Sequence, residues 1–65
     1  MKVREVIALL EEHGWKLVAQ EGSHRQFKHR WKTGRVTVAG NPGDDLTLGT
    51  LGSIFKQAGL RKDRR

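Results

Sequence analysis

Gly22-Ser23-His24-Arg25-Gln26-Phe27-Lys28 decides the fold. Glycine and serine open the run as a turn, and the residues after them alternate as a strand does. An amphipathic helical pattern precedes the run and another follows it. The run therefore reads as the tip and returning strand of a β-hairpin held between two helices.

Just upstream, Trp15 to Gln20 alternates loosely and predicts the first strand, with Trp15, Leu17 and Ala19 inward. Glu21-Gly22-Ser23 is the turn, and the second strand runs from His24 to about Trp31. If Phe27 and Trp31 face the core, period-two parity puts Arg25 and His29 on that side. His24, Gln26 and Lys28 then share the open face. Lys32-Thr33-Gly34-Arg35 makes a second turn, and Val36 to Ala39 a third strand.

Farther out, Val3, Val6, Ile7 and Leu10 recur at helical spacing, predicting a helix over about Lys2 to His13 that no good N-cap residue opens. His13 and Gly14 suit its end. Past the turn-forming loop Gly40-Asn41-Pro42-Gly43-Asp44-Asp45, Thr47 is an N-cap for a helix with Leu48, Leu51, Ile54, Phe55 and Ala58 on one face. Gly59 stops it, with Leu60 as a contact just beyond. The expected fold is α+β, in the order α-β-β-β-α, with a three-stranded antiparallel sheet and both helices on one face. Val6, Ile7, Leu10, Leu17, Phe27, Val36, Leu51, Ile54 and Phe55 form the expected core. Residues 1–60 make one domain, and 61–65 a charged tail expected to be frayed.

At 65 residues there is room for a single small core. No cysteine is present, so neither disulfides nor thiolate ligands hold the chain. No apolar run approaches the ~20 residues that cross a bilayer, and glutamates interrupt any signal-peptide core. The expectation is a soluble cytoplasmic protein with no membrane partner. Net charge is +6, and between Gly22 and Gly43 no acidic residue occurs, while Arg25, Lys28, Arg30, Lys32 and Arg35 do. A patch of one sign on so small a domain points to a polyanion such as nucleic acid, or to an acidic protein. Asp44 and Asp45 alone make a poor metal site and read as loop solvation. No cofactor is expected.

Gly14-Trp15, then Gly22-Ser23-His24 leading to Phe27, then Thr50-Leu51, Ile54 and Lys56-Gln57-Ala58-Gly59-Leu60 together resemble the HicA family over nearly the whole chain. The resemblance implies a fold similar to double-stranded-RNA-binding domains. It also implies the activity of an mRNA interferase, the toxin of a toxin–antitoxin pair, with His24 as the catalytic residue and a HicB-type antitoxin as partner. The sequence departs from the family at Asn41, where many relatives carry a second histidine, and at Leu48, where proline often opens the last helix.

The residues suit that chemistry. RNA carries its own nucleophile, the 2′-hydroxyl, so one base, some cations and a few backbone donors can suffice. Free imidazole titrates near ~6.5 and is mostly unprotonated at neutral pH. The cations and donors expected to meet RNA are Ser23, Arg25, Lys28, Arg30, Lys32 and Arg35. His29 is a second imidazole, on the opposite side by parity. From the residues alone, His24 is either an exposed polar residue of a hairpin or a base. The chain is accordingly either a metal-independent endoribonuclease, a non-catalytic RNA-binding module of the same fold, or a domain whose basic face meets an acidic partner. An antitoxin covering the His24 face would unite the first and third.

Overall fold

Helix α1 (Val3–Glu12) turns Val3, Val6 and Leu10 inward, and all three are fully buried. The structure, a computed structural model, describes residues 1–60. The charged tail expected over 61–65 lies outside the described residues. No side-chain cap was found in the sequence for α1, and the fold satisfies its first donors from afar. The Val3 N–H donates to Asp44 O at 2.9 Å and the Arg4 N–H to Pro42 O at 3.1 Å. Glu5 Oε1 accepts from the Lys2 N–H at 2.7 Å. His13 ends the helix as expected, with its Nδ1 on Leu9 O at 2.9 Å.

Three antiparallel strands follow, β1 (Trp15–Glu21), β2 (His24–His29) and β3 (Val36–Ala39), in the spatial order β1-β2-β3. Thr47 then caps helix α2 (Leu48–Ala58), its side chain accepting from the Thr50 N–H at 3.2 Å. Leu51, Ile54, Phe55 and Ala58 of α2 close the core over Trp15, Phe27, Val36 and Val38 of the sheet. The chain thus has the expected α-β-β-β-α order, with both helices on one face of an open sheet.

Register shows which side chains share a face. A bulge between Leu17 and Ala19 shifts the β1–β2 ladder, so that Glu21 faces His24, Ala19 faces Gln26, Leu17 faces Phe27, Lys16 faces Lys28 and Trp15 faces His29. On the other side of β2, His24 faces Ala39, Gln26 faces Thr37 and Phe27 faces Val36. The extra residue at the bulge carries Ala19 to the open face, correcting the inward assignment.

Three more expectations need correction. Leu17 does lie on the helix side opposite Phe27, yet it is 46% exposed. β1 is one of the two edge strands, and the helical layer covers only its first residue. Trp31, expected inside, is 80% exposed. The strand stops at His29, whose Nδ1 accepts from the Trp31 and Lys32 N–H groups at 3.1 and 3.3 Å, bending the chain out of the ladder. Leu48 is 74% exposed because the first turn of α2 runs past the edge of the core. Ile7 packs against the core without being enclosed, and Val3, Val38 and Ala58 join it.

Candidate functional site

The open face of the sheet carries the residues that could do chemistry. Along β2 they are His24, Gln26 and Lys28, flanked on β1 by Glu21, Ala19 and Lys16 and on β3 by Ala39 and Thr37. The face is narrow and polar, with no helix over it. His24 stands at its tip end, where Gly22 at φ +59° makes the tight turn from Glu21. The imidazole is exposed and makes no side-chain hydrogen bond with the described residues. Both of its nitrogens are open to a substrate.

The tip is braced from below. Arg25, on the helix side of β2, sends its guanidinium to Gly40 O at 2.8 Å and Ser23 O at 3.4 Å. The Gly40 N–H donates to Ser23 O at 3.2 Å, and Gln20 Nε2 donates to Gly22 O at 3.1 Å. The β1–β2 turn and the end of β3 are thereby tied together under His24. Asn41 holds the adjoining loop. Its N–H donates to Asp44 Oδ2 at 3.0 Å, and the Asp44 N–H returns to Asn41 O at 2.9 Å.

The six cations and donors expected at an RNA surface therefore take different positions. Lys28 is exposed on the His24 face. Arg35 reaches the same face and donates to Gln26 Oε1, between His24 and Lys28. Ser23 is half-buried in the turn. Arg25 acts from the other side as a clamp. Lys32 is committed elsewhere, its Nζ donating to Ala58 O at 2.9 Å at the end of α2. Arg30 lies past the end of β2, its guanidinium 5.5 Å from the centroid of the Trp31 ring.

His29 is placed on the covered side, as parity predicted, and both of its ring nitrogens are engaged. Nε2 donates to His13 O at 2.9 Å, while Nδ1 accepts from the two N–H groups that bend the chain. Its ring meets Trp15 edge-on with centroids 5.3 Å apart. Gly14 has φ +91°, and a Cβ there would come within 2.8 Å of His29 Nε2. Glycine is required both for that backbone and for that approach.

Sequence reasoning missed Lys16 and Glu21 as members of the open face. Glu21 faces His24 across the tightest part of the hairpin, and Lys16 faces Lys28. A two-residue turn at Gly22-Ser23 was enough to pair Glu21 with His24. Lys16 depends on the bulge. Among the described residues, no group of three or more His, Cys, Asp or Glu side chains is arranged to hold a metal ion, and no helix is long and apolar enough to cross a membrane.

Fold and face define a class: a small basic α-β-β-β-α domain with one sheet face covered by helices and the other bare, polar and histidine-tipped. The family described as HicA toxin of bacterial toxin–antitoxin matches residues 3–60, and the chain belongs to that family. That membership gives it the role of a toxin and implies an antitoxin partner. No curated protein matches the chain.

Proposed function

We propose that the chain is a metal-independent endoribonuclease that cleaves mRNA with His24 as general base. His24 takes the proton from a ribose 2′-hydroxyl, and the oxygen attacks the adjacent phosphorus. The 5′-oxygen of the downstream fragment leaves as a hydroxyl with a proton from solvent, and the upstream fragment keeps a 2′,3′-cyclic phosphate at its 3′ end. Charge building on the phosphoryl oxygens is met by Arg35, which reaches the open face at Gln26, two residues from His24, while Lys28 holds the RNA strand farther along. Arg25 serves as a positioning residue that holds the Ser23 and Gly40 carbonyls under the turn. The observation that carries this reading is an unengaged imidazole on a bare, cationic face in a member of a toxin family.

A HicB-type antitoxin, acidic at its contact surface, is the partner that fits this face. Covering His24 would silence the toxin, and the partner would compete with RNA for Lys28 and Arg35. Association should slow as salt rises, because the steering charges are exposed.

The test is cleavage of a defined mRNA by the purified chain, with EDTA present and the fragment ends analysed. Cyclic phosphate ends, loss of cleavage in His24→Ala and retained RNA binding are expected. Undiminished cleavage by His24→Ala, or cleavage that chelation abolishes, refutes the mechanism. RNA binding with no cleavage at all leaves the binding-module alternative.

A further inference from the structure

At the far end of the first hairpin from His24 lies a cleft of about 290 Å³ lined by Gly14, Lys16, Lys28, His29, Arg30 and Trp31. We infer that this cleft is a subsite for an unpaired base and its phosphates, holding single-stranded RNA several nucleotides from His24. The inference rests on the ribonuclease reading above for the substrate class, and on the following observations for the site.

Charge comes first. Three of the six lining residues are cations and none is acidic. Lys16 and Lys28 stand directly opposite each other in the ladder, where like charges cost stability. None of the three cations forms an ion pair among the described residues, whose one such pair is Lys2–Asp45. The cleft is therefore an uncompensated positive site, suited to an anion with more than one charge.

The aromatic comes second. Trp31 is the most exposed large apolar side chain, at 80%, so burial does not hold it. Local contacts do: its N–H donates to His29 Nδ1, its ring lies 5.7 Å from the His29 ring, and Arg30 sits at its face. His29 in turn packs against buried Trp15. Three rings thus run from the core to the surface, and the outermost is set in place before any ligand arrives. An exposed indole amid cations is the pairing that binds single strands, where bases stack on the ring and phosphates meet the charges. A duplex offers no free base face to such a platform.

Position comes third. Lys28 shares the open face with His24, four residues along one strand, which is about 14 Å at ~3.4 Å per residue. At about 3.4 Å per stacked nucleotide that interval is on the order of four nucleotides, and Gln26 with Arg35 lies between. One strand can lie on Trp31 and reach His24.

The experiment uses the His24→Ala chain, so that RNA stays intact, and reads tryptophan emission and affinity with a short single-stranded oligoadenylate and with its duplex. Emission from exposed Trp31 should be quenched by the single strand, and the duplex should bind more weakly. Trp31→Ala should lose about 5- to 150-fold in affinity, the range for one stacked base, with an unchanged unfolding midpoint, while Trp31→Phe keeps most of the binding. Lys16→Met should flatten the log–log salt dependence by about 0.7, one phosphate contact on a single strand. Unchanged affinity in Trp31→Ala, unquenched emission on binding, or a duplex bound as tightly as the single strand overturns the subsite. So does a Trp31→Ala effect confined to the antitoxin, which would make the cleft a protein contact. Because binding is read without cleavage, a parent chain that binds through Trp31 but never cuts RNA defeats the nuclease reading and leaves the subsite standing.

Discussion

Two histidines open and close the same strand and meet opposite fates. His24 lies on the bare face with neither ring nitrogen engaged, while His29, five residues on, lies half-buried on the helix side with both engaged. An odd interval on a strand reverses the face, so one imidazole is left for chemistry and the other is built into the fold. The lesson is that an imidazole's availability, more than its presence, marks a candidate base. His29 is also the residue that ends β2 and sets Trp31 outward.

The contrast predicts opposite results from the same substitution. His24→Ala should lower cleavage by about 10²- to 10⁴-fold, the usual share of a general base, with no change in denaturant midpoint. If it instead unfolds the chain, the distinction between the two histidines collapses. His29→Ala should cost about 1–3 kcal/mol of stability by leaving the His13 carbonyl and two N–H groups without their partner, as urea unfolding would show. Its cleavage should fall far less than that of His24→Ala once the folded fraction is accounted for.

Smaller effects sharpen the comparison. Arg25→Met removes a guanidinium that holds two carbonyls, and should cost about 1–2 kcal/mol. Cleavage should drop through a lower kcat with KM little changed, because the tip loosens while the cations of the open face remain. A KM effect alone would mean Arg25 binds substrate directly. Lys32→Met should be the mildest, at about 0.3–1 kcal/mol for one cation on a helix C-terminus. RNA affinity should hardly move, since the Lys32 ammonium is occupied by Ala58 O. A large loss of RNA binding would return Lys32 to the nucleic-acid surface.

Much of the architecture was legible because periodicity and turn residues agree. Both helical stripes apart from Leu48, a turn at Gly22-Ser23 that is one residue shorter than the expected Glu21-Gly22-Ser23, the Thr47 cap and the Gly59 stop emerge in the structure. The face assignment of His24, Gln26 and Lys28 takes both Phe27 and Trp31 as inward and holds on Phe27, since Trp31 lies beyond the strand. What could not be read was the bulge at Leu17/Ala19, which no glycine marks. A regular ladder from Glu21–His24 would have set Lys28 against Leu17, and the irregularity replaces that leucine with Lys16. Trp31 was misplaced for a related reason. Aromatic residues in a strand pattern are ordinarily core, and only the three-dimensional position of His29 reveals that the strand has already ended. Lys32 and Arg25 looked like generic cations because their carbonyl partners are distant in sequence, at Ala58 and Gly40.

The first helix has its amino-terminal partners about forty residues farther along the chain. Val3 and Arg4 donate to Asp44 and Pro42, Met1 O accepts from the Leu46 N–H, and Lys2 bridges to Asp45. On a ribosome these acceptors leave the exit tunnel long after the helix that needs them. We predict that the nascent chain gains its protected fold only once the 41–46 loop and the core residues of α2 have emerged, so translation itself delays the toxin. Stalled chains ending at Gly40 should be cut readily by protease, whereas chains exposing residues through Leu60 should resist. Equal resistance in both would show that the helix is secured without its distant carbonyls.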